Sequence, residues 1–310
     1  MRSCVIGGAG FIGVHVTRLL AESGRDVVVL DSRDQPGAPL PARARFVTGD
    51  YGDRAVIEHV LEGVGEVIHL AYATVPQTSF EDPIHDLLSN LPETVQLLQV
   101  AAEIGVKKFL MVSSGGTVYG VASSLPISED HPTNPISPYG ITKLTLEKYA
   151  QMFCATSGLP VVVVRPSNAY GEKQQAAGGQ GFIAAAVRAI VRGEEFGVFG
   201  PEGTVRDYIH VSDIASGILA ALDHGEIGGT YNIGTGIGKN NLEVLSEIEP
   251  LASSDGFPMR MPTLPAREFD VPANVLDSRR LAAVSGWQPQ VNLRAGIERV
   301  WNAVLQRQRG

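Results

Sequence analysis

Short runs of β-branched and other apolar residues alternate along the first half of the chain with longer stretches whose apolar positions recur every three or four residues. The short runs predict strands at Ser3–Ile6, Val27–Leu30, Arg45–Thr48, Glu66–Leu70, Lys108–Val112 and Val161–Arg165. The helical spacing predicts helices near Phe11–Ser23, Arg54–Glu62, Pro92–Glu103 and Tyr139–Ser157. Val27-Val28-Val29-Leu30 and Val161-Val162-Val163-Val164 are apolar on both faces, as strands covered by helices on each side must be. Repeated βαβ units closing a doubly wound parallel sheet follow from this alternation, an α/β fold.

After Pro166 the rhythm loosens. A Gly-rich stretch (Gly178, Gly179, Gly181) precedes a helix near Phe182–Val191, and Phe199-Gly200-Pro201-Glu202-Gly203 reads as a loop. Strand signals return at Asp207–Val211 and Thr230–Ile233. The expected division is therefore interleaved: residues 1–165 and about 205–238 in a dinucleotide-binding domain, about 166–204 and 239–310 in a smaller α/β C-terminal substrate-binding lobe. Trp287 and Trp301 read as packing anchors of that lobe, and Gln35–Pro41 as a surface loop.

Composition narrows the function classes. At 310 residues, 44% apolar and 19% charged, the chain can bury a large core, and it has no run of about 18 apolar residues that would span a membrane. A formal charge of −8 opposes binding to a phosphate backbone, so neither nucleic acid nor membrane is an expected partner. Glycines 7, 8, 10 and 13 interrupt any signal-peptide core, and two distant cysteines, Cys4 and Cys154, make no disulfide framework; a cytoplasmic location is expected. His15, His69, His85, His210 and His224 lack metal-ligand spacing, and no metal is expected.

Gly7-Gly8-Ala9-Gly10-Phe11-Ile12-Gly13 follows a predicted strand and opens a predicted helix. Glycines there allow a tight turn and close backbone approach, while exposed amides and the helix dipole favour a pyrophosphate. Asp31 ends the next strand, where a carboxylate accepts both ribose hydroxyls of adenosine and repels a 2′-phosphate; NAD is expected over NADP, although nearby Arg33 is the residue a 2′-phosphate would want. Tyr139 and Lys143 lie one helical turn apart on one face. A phenol ordinarily titrates at about 10, and each unit of depression takes about 1.4 kcal/mol, so one ammonium plus an oxidised nicotinamide could bring Tyr139 towards neutrality as a base.

These motifs, with Gly49-Asp50, His69-Leu70-Ala71, Asn90, Ser113–Gly120, Arg165–Gly171, Arg206–Val211, Asn232–Gly236 and Arg267–Val271, resemble the extended short-chain dehydrogenase/reductases, specifically their NAD-dependent nucleotide-sugar epimerase/dehydratase group. The resemblance spans nearly the whole chain. It implies a Rossmann-type domain, an NAD cofactor, a UDP-sugar substrate, a homodimer formed through the helices around Leu87–Ala102 and Leu144–Phe153, and epimerisation at C4 of a UDP-hexose. It also implies that Asp50 holds the adenine, Asp31 the adenosine ribose, Lys143 the nicotinamide ribose and Tyr139 the sugar 4-OH. Further cofactor contacts are implied for Gly7, Gly10, Phe11, Ile12, Gly13, Tyr51, Leu70, Ala71, Tyr72, Asn90, Ser113 and Pro166. Asn168, Arg206 and Arg267 would hold the nucleoside diphosphate, and Asp270 its ribose side.

Two departures matter. The position that carries a Ser or Thr in the family's epimerases is Gly115, so Ser114 or Thr117 must stand in, and Thr117 is the preferred substitute. Gly116 and Thr117 occupy the place of the Asp-Glu pair that dehydratases of this group need as an extra acid and base. Hydride removal and return therefore remain as the expected chemistry, with a ketoreductase, a dehydratase or a non-catalytic binder as rivals. Asn274 stands where the family lines the pocket for the sugar's C2 substituent, and its small size suits UDP-GlcNAc/GalNAc or both classes of hexose.

Overall fold

Strand parity decides what the central sheet buries. Along Arg2–Ile6 (β1), Cys4 and Ile6 point to one face and Val5 to the other, and the valines of Asp26–Asp31 (β2) divide in the same way. The computed structural model describes residues 1–36, 38–174, 181–265 and 271–309. Between and after these two strands come Gly13–Glu22 (α1), Ala44–Thr48 (β3), Arg54–Leu61 (α2), Glu66–His69 (β4), Pro76–Glu81 (α3), Pro83–Leu88 (α4), Leu91–Ile104 (α5), Lys108–Val112 (β5), Pro138–Ser157 (α6) and Val161–Pro166 (β6). The second half contributes Asn168–Tyr170 (β7), Phe182–Arg192 (α7), Val198–Phe199 (β8), Val205–His210 (β9), Val211–His224 (α8), Thr230–Ile233 (β10), Gly238–Lys239 (β11), Asn241–Ser254 (α9), Thr263–Leu264 (β12), Ala273–Asn274 (β13), Arg279–Ser285 (α10) and Leu293–Arg309 (α11).

The seven-stranded sheet runs β3-β2-β1-β4-β5-β6-β10 with every pair parallel. Ile57, Leu97, Leu98 and Leu146 from α2, α5 and α6 cover one face, and Val16, Leu20, Ile214 and Ile218 from α1 and α8 cover the other. Strand order reverses between β1 and β4, and a crevice opens at the carboxyl ends of such strands.

The later chain differs from the expected pattern in three places. β9 leaves the large sheet and centres a small one, flanked by β11 and β13 and also paired with β7; among the described residues after β6, β10 alone returns to the large sheet. Phe199, predicted to open a loop, ends β8, which pairs with β12. Trp301 does anchor a separate core with Tyr170, Tyr208, Ile190 and Ile248, but Trp287 packs with Leu281 and Ile218 against the large sheet. The apolar stripe predicted through Leu87–Ala102 is also divided, because α4 ends at Leu88 and α5 begins at Leu91. Both α3 and α4 start with a proline in the first turn, where a missing N–H does no harm.

Candidate active site

Gly7 has φ +81°, and a Cβ there would stand 2.6 Å from the Ala71 nitrogen, so only glycine lets β1 turn beneath the chain leaving β4. A Cβ at Gly13 would stand 2.4 Å from the Gly7 carbonyl, which fixes the close packing of α1 on this turn. α1 carries neither a capping side chain nor an acidic residue in its first turn, whereas Asp53 caps α2 and Ser137 caps α6. The glycine turn before α1 borders a cavity of about 360 Å³ lined by Gly7, Gly10, Asp31, Asp50, Tyr51, Ala71 and Tyr72.

The far wall is built around Asp31. Its Oδ2 accepts the Ala9 N–H at 3.0 Å and its Oδ1 the Arg33 N–H at 3.2 Å, while the Arg33 guanidinium donates to the Ala9 carbonyl at 2.7 Å. Arg33 is thereby held against the carboxylate, its Nε 3.8 Å from Oδ1. A cavity that joins a carboxylate at the end of β2 to a glycine turn fits a dinucleotide. Leu70 also lines this cavity. Asn90 does not: its amide donates to the Asp86 carbonyl and its Oδ1 accepts the Ala73 N–H, so it shapes the loop bearing Tyr72 and Ala73 instead.

Tyr72 carries the cavity to the catalytic candidates. Its ring packs edge-on against Tyr139 with centroids 4.8 Å apart. Ser137 caps α6 by accepting the Gly140 N–H and Pro138 occupies the first turn, which places the half-buried Tyr139 at the positive end of a 20-residue helix. The Ser79 hydroxyl accepts the Tyr139 N–H at 3.2 Å. Lys143, one turn on, is almost wholly buried; its ammonium donates to the Val112 carbonyl at 3.1 Å and lies 4.0 Å above the Tyr72 ring and 5.8 Å from the Tyr139 ring.

Without a cofactor, burial is the first influence on both members of this pair. Burial raises the Tyr139 phenol well above its ordinary value, the Asp86 carboxylate adds to that, and only Ser114 opposes it. Burial pushes the Lys143 ammonium down to about 7, with Glu147 and Asp86 acting against the fall. In the protein alone, therefore, Lys143 does not by itself bring the phenol towards neutrality. His69, at the end of β4 beneath them, is held neutral by burial and then by Lys143, its value lowered to about 3.

Gly115 explains which hydroxyl is available. A Cβ there would stand 2.4 Å from Leu276 Cδ1 and 2.9 Å from the Arg165 carbonyl, so this position faces the core and leaves no room for Ser or Thr. Its N–H donates to the Pro166 carbonyl at 2.9 Å. The Ser114 side chain acts on the Tyr139 phenol to lower it, while Thr117 Oγ1, the preferred substitute from the sequence, is buried without a partner. Ser113 Oγ at the end of β5 and Asn168 Oδ1 on β7 are also buried and unpartnered, and Asn168 Oδ1 would stand 3.5 Å from a Cβ at Gly116. Asn274 is 1% exposed, donates to the Gly115 carbonyl at 2.9 Å, and leaves Oδ1 unpartnered.

Arg206 is fixed on β9, where its guanidinium donates to the Val205 carbonyl. Next to it the fully buried Asp207 accepts N–H groups from Thr235, Gly236 and Leu276, which fastens β9 to the chain beyond β10 and beyond β13. Arg267 and Asp270 lie outside the described residues. Sequence reasoning missed Asp86, Ser79, Asp207 and the Tyr72 ring contact; the one available signal was Asp82-Pro83, a helix start placed three residues before Asp86.

The family described as NAD dependent epimerase/dehydratase matches residues 3–234. A UDP-glucose 4-epimerase of Mycolicibacterium smegmatis is 36% identical over 305 residues, covering 96% of each chain. Among solved structures, the UDP-glucose 4-epimerase of Thermotoga maritima with UDP-glucose superposes with a TM-score of 0.92 at 32% identity, over 99% of this chain and 100% of that one. The Thermus thermophilus UDP-glucose 4-epimerase in complex with NAD gives 0.90 at 32%, over 98% and 99%.

Proposed function

Because the chain belongs to the NAD-dependent epimerase/dehydratase family, we propose that it is an NAD-dependent epimerase that inverts C4 of a UDP-hexose through a transient 4-keto sugar. The observation that carries this reading is that Tyr72, in the wall of the glycine-turn cavity, packs edge-on against Tyr139, with Lys143 one turn away. The oxidised nicotinamide, when bound, supplies a reversible hydride acceptor. Tyr139 removes the 4-OH proton as that bond is oxidised and returns it after the sugar has turned over, with Ser114 bridging phenol and sugar oxygen. The start of α6 stabilises the phenolate.

Asp31 takes the adenosine ribose, Asp50 the adenine and Lys143 the nicotinamide ribose. Gly7, Gly10, Phe11, Ile12 and Gly13 take the pyrophosphate at the start of α1. The lobe around β9 is the nucleotide handle, with Arg206 and Asn168, joined by Arg267 and Asp270. Contacts far from the reacting ring hold the keto sugar during its rotation without entering the chemistry. Gly116 and Thr117 give no acid–base pair for loss of water, which favours epimerisation over dehydration. Asn274, smaller than a tyrosine and hydrogen-bonded to the Gly115 carbonyl, supports acceptance of N-acetylated hexoses as well.

A homodimer is part of this proposal. Ile84 and Leu88 of α4 and Ile141, Tyr149 and Met152 of α6 form an exposed apolar band, and α4 and α6 pack together. A self-complementary two-fold contact would bury it. No helix among the described residues is long and apolar enough to cross a membrane, and the proposed location is the cytoplasm. Proton NMR of UDP-glucose and UDP-GlcNAc incubated with the purified protein and NAD+ tests the reading: the C4 epimer should accumulate to equilibrium with wild type and not with Tyr139→Phe, and an unchanged C4 in every UDP-hexose would end it.

A further inference from the structure

Asp86 is a fully buried carboxylate that the reaction as derived does not use. It sits on α4, capped by Asp82, and the groups bonded to it are hydroxyls: Thr142 Oγ1 donates at 2.7 Å, Thr74 Oγ1 donates to the other oxygen, and the Tyr72 phenol lies 3.3 and 3.4 Å from the two oxygens. Burying a carboxylate is costly, and hydroxyl donors offset only part of that cost when no cation is bonded to it.

Tyr72 joins this charge to the catalytic pair in three ways. Its phenol is on Asp86, its face is under the Lys143 ammonium, and its edge is against the Tyr139 ring. Thr142, the nearest donor from α6, precedes Lys143 in the chain. The charged and titratable groups around the carboxylate are few. From α6 they are Tyr139, Lys143 and, a turn further, Glu147, which is tied to Arg165 of β6 at 2.6 Å. From the β4 side they are Tyr72 and the neutral His69. On α4 itself the exposed His85 ring lies beside the Ser89 hydroxyl, away from this network.

We propose that Asp86 is a positioning residue for the reaction, the buried counter-charge that keeps the proton on Tyr139 and the charge on Lys143 until a cationic ring enters the cleft beside them. It rests on the epimerase reading. The physical logic is charge balance. Burial acts most strongly on both groups; Asp86 adds to the burial that opposes ionisation of the phenol and, after Glu147, counters the burial that lowers the ammonium. A pyridinium held beside the phenol would offset the carboxylate's effect on it and so would ease loss of the phenol proton when the competent cofactor is in place. The same carboxylate orients Tyr72 and thereby the wall between cavity and phenol.

The test is a near-ultraviolet phenolate titration of the full-length protein, read as wild type minus Tyr139→Phe, without and with NAD+. Asp86→Asn, paired with its own Tyr139→Phe reference, should lower the Tyr139 midpoint by about one pH unit or more, and the rising limb of the kcat/KM profile should move the same way. Thr142→Val disturbs the same network but keeps the charge, and its midpoint should stay in place. If the asparagine variant does not fold, Asp86→Ser removes the charge with a smaller group. An unmoved midpoint without Asp86, or an equal shift in Thr142→Val, overturns the proposal. Because the titration reads the phenol directly, a protein that inverts no UDP-hexose yet shows the shift refutes the epimerase reading alone.

Discussion

Restoring the hydroxyl that the family's epimerases carry at position 115 should harm this protein. In Gly115→Ser the new Cβ would stand 2.4 Å from Leu276 Cδ1, 2.9 Å from the Arg165 carbonyl and 3.2 Å from the Pro166 carbonyl. Leu276 cannot swing aside freely, because it is fully buried with Val118, Tyr119 and Ile127 and its N–H is bonded to Asp207. The loop cannot lift either, since the Gly115 N–H is held by Pro166 and its carbonyl by Asn274. Overpacking of this kind costs about 1–3 kcal/mol. With roughly 2–4 °C per kcal/mol in domains of about 200 residues, and less in longer chains, the midpoint of thermal unfolding should fall by a few degrees. Activity should fall too, since the added hydroxyl points into the core. Ser114→Ala makes the opposite pattern: stability within about 0.5 kcal/mol of wild type, but kcat lower by about 100-fold or more. Calorimetry and steady-state epimerisation of UDP-glucose check both. An unchanged melting temperature with raised kcat in Gly115→Ser, together with full kcat in Ser114→Ala, would refute the assignment of Ser114.

Lys143→Met should stabilise the cofactor-free protein most near pH 6 and least near pH 10 in urea unfolding. The unfolded lysine, near its ordinary 10.5, binds a proton that the folded one releases at about 7, so the cost of the buried charge is full below 7 and fades as pH rises to 10.5; an equal gain at both pH values would contradict it. Asp31→Asn should narrow the preference for NAD over NADP by at least about tenfold, or about 1.4 kcal/mol, in fluorescence titrations, because it removes the charge that opposes a 2′-phosphate beside Arg33; an undiminished preference would count against Asp31 as the selector. Met152→Glu, in the exposed band of α6, should convert the protein to a monomer in sedimentation velocity, and a persisting dimer would place the interface elsewhere.

The large sheet was legible because its central strands are short β-branched runs apolar on both faces and its helices are longer and apolar on one, so length and period together separate them. The glycine turn and the Tyr139–Lys143 face were legible for related reasons: each is a local pattern with one conformational use. What escaped was non-local. α3 and α4 are six residues each, too short for a periodic signal, and with them went Ser79 and Asp86. Nothing in Val205–His210 tells which sheet it joins, because that is settled by β7, β11 and β13 arriving from distant parts of the chain. The room for a side chain at position 115 is set by Leu276, 161 residues away in sequence. The upward shift of Tyr139 comes first from burial and then from Asp86, a carboxylate in a helix that the pattern did not reveal.

The central claim is that hydrogen leaves C4 and returns to the same carbon from the opposite side without meeting solvent. UDP-glucose deuterated at C4, incubated with protein and NAD+ in ordinary water, tests it directly by NMR. The account predicts UDP-galactose that retains the deuterium at C4, with no net change in nicotinamide absorbance. Loss of the label to solvent, or a net rise in reduced cofactor matching the sugar consumed, would contradict it.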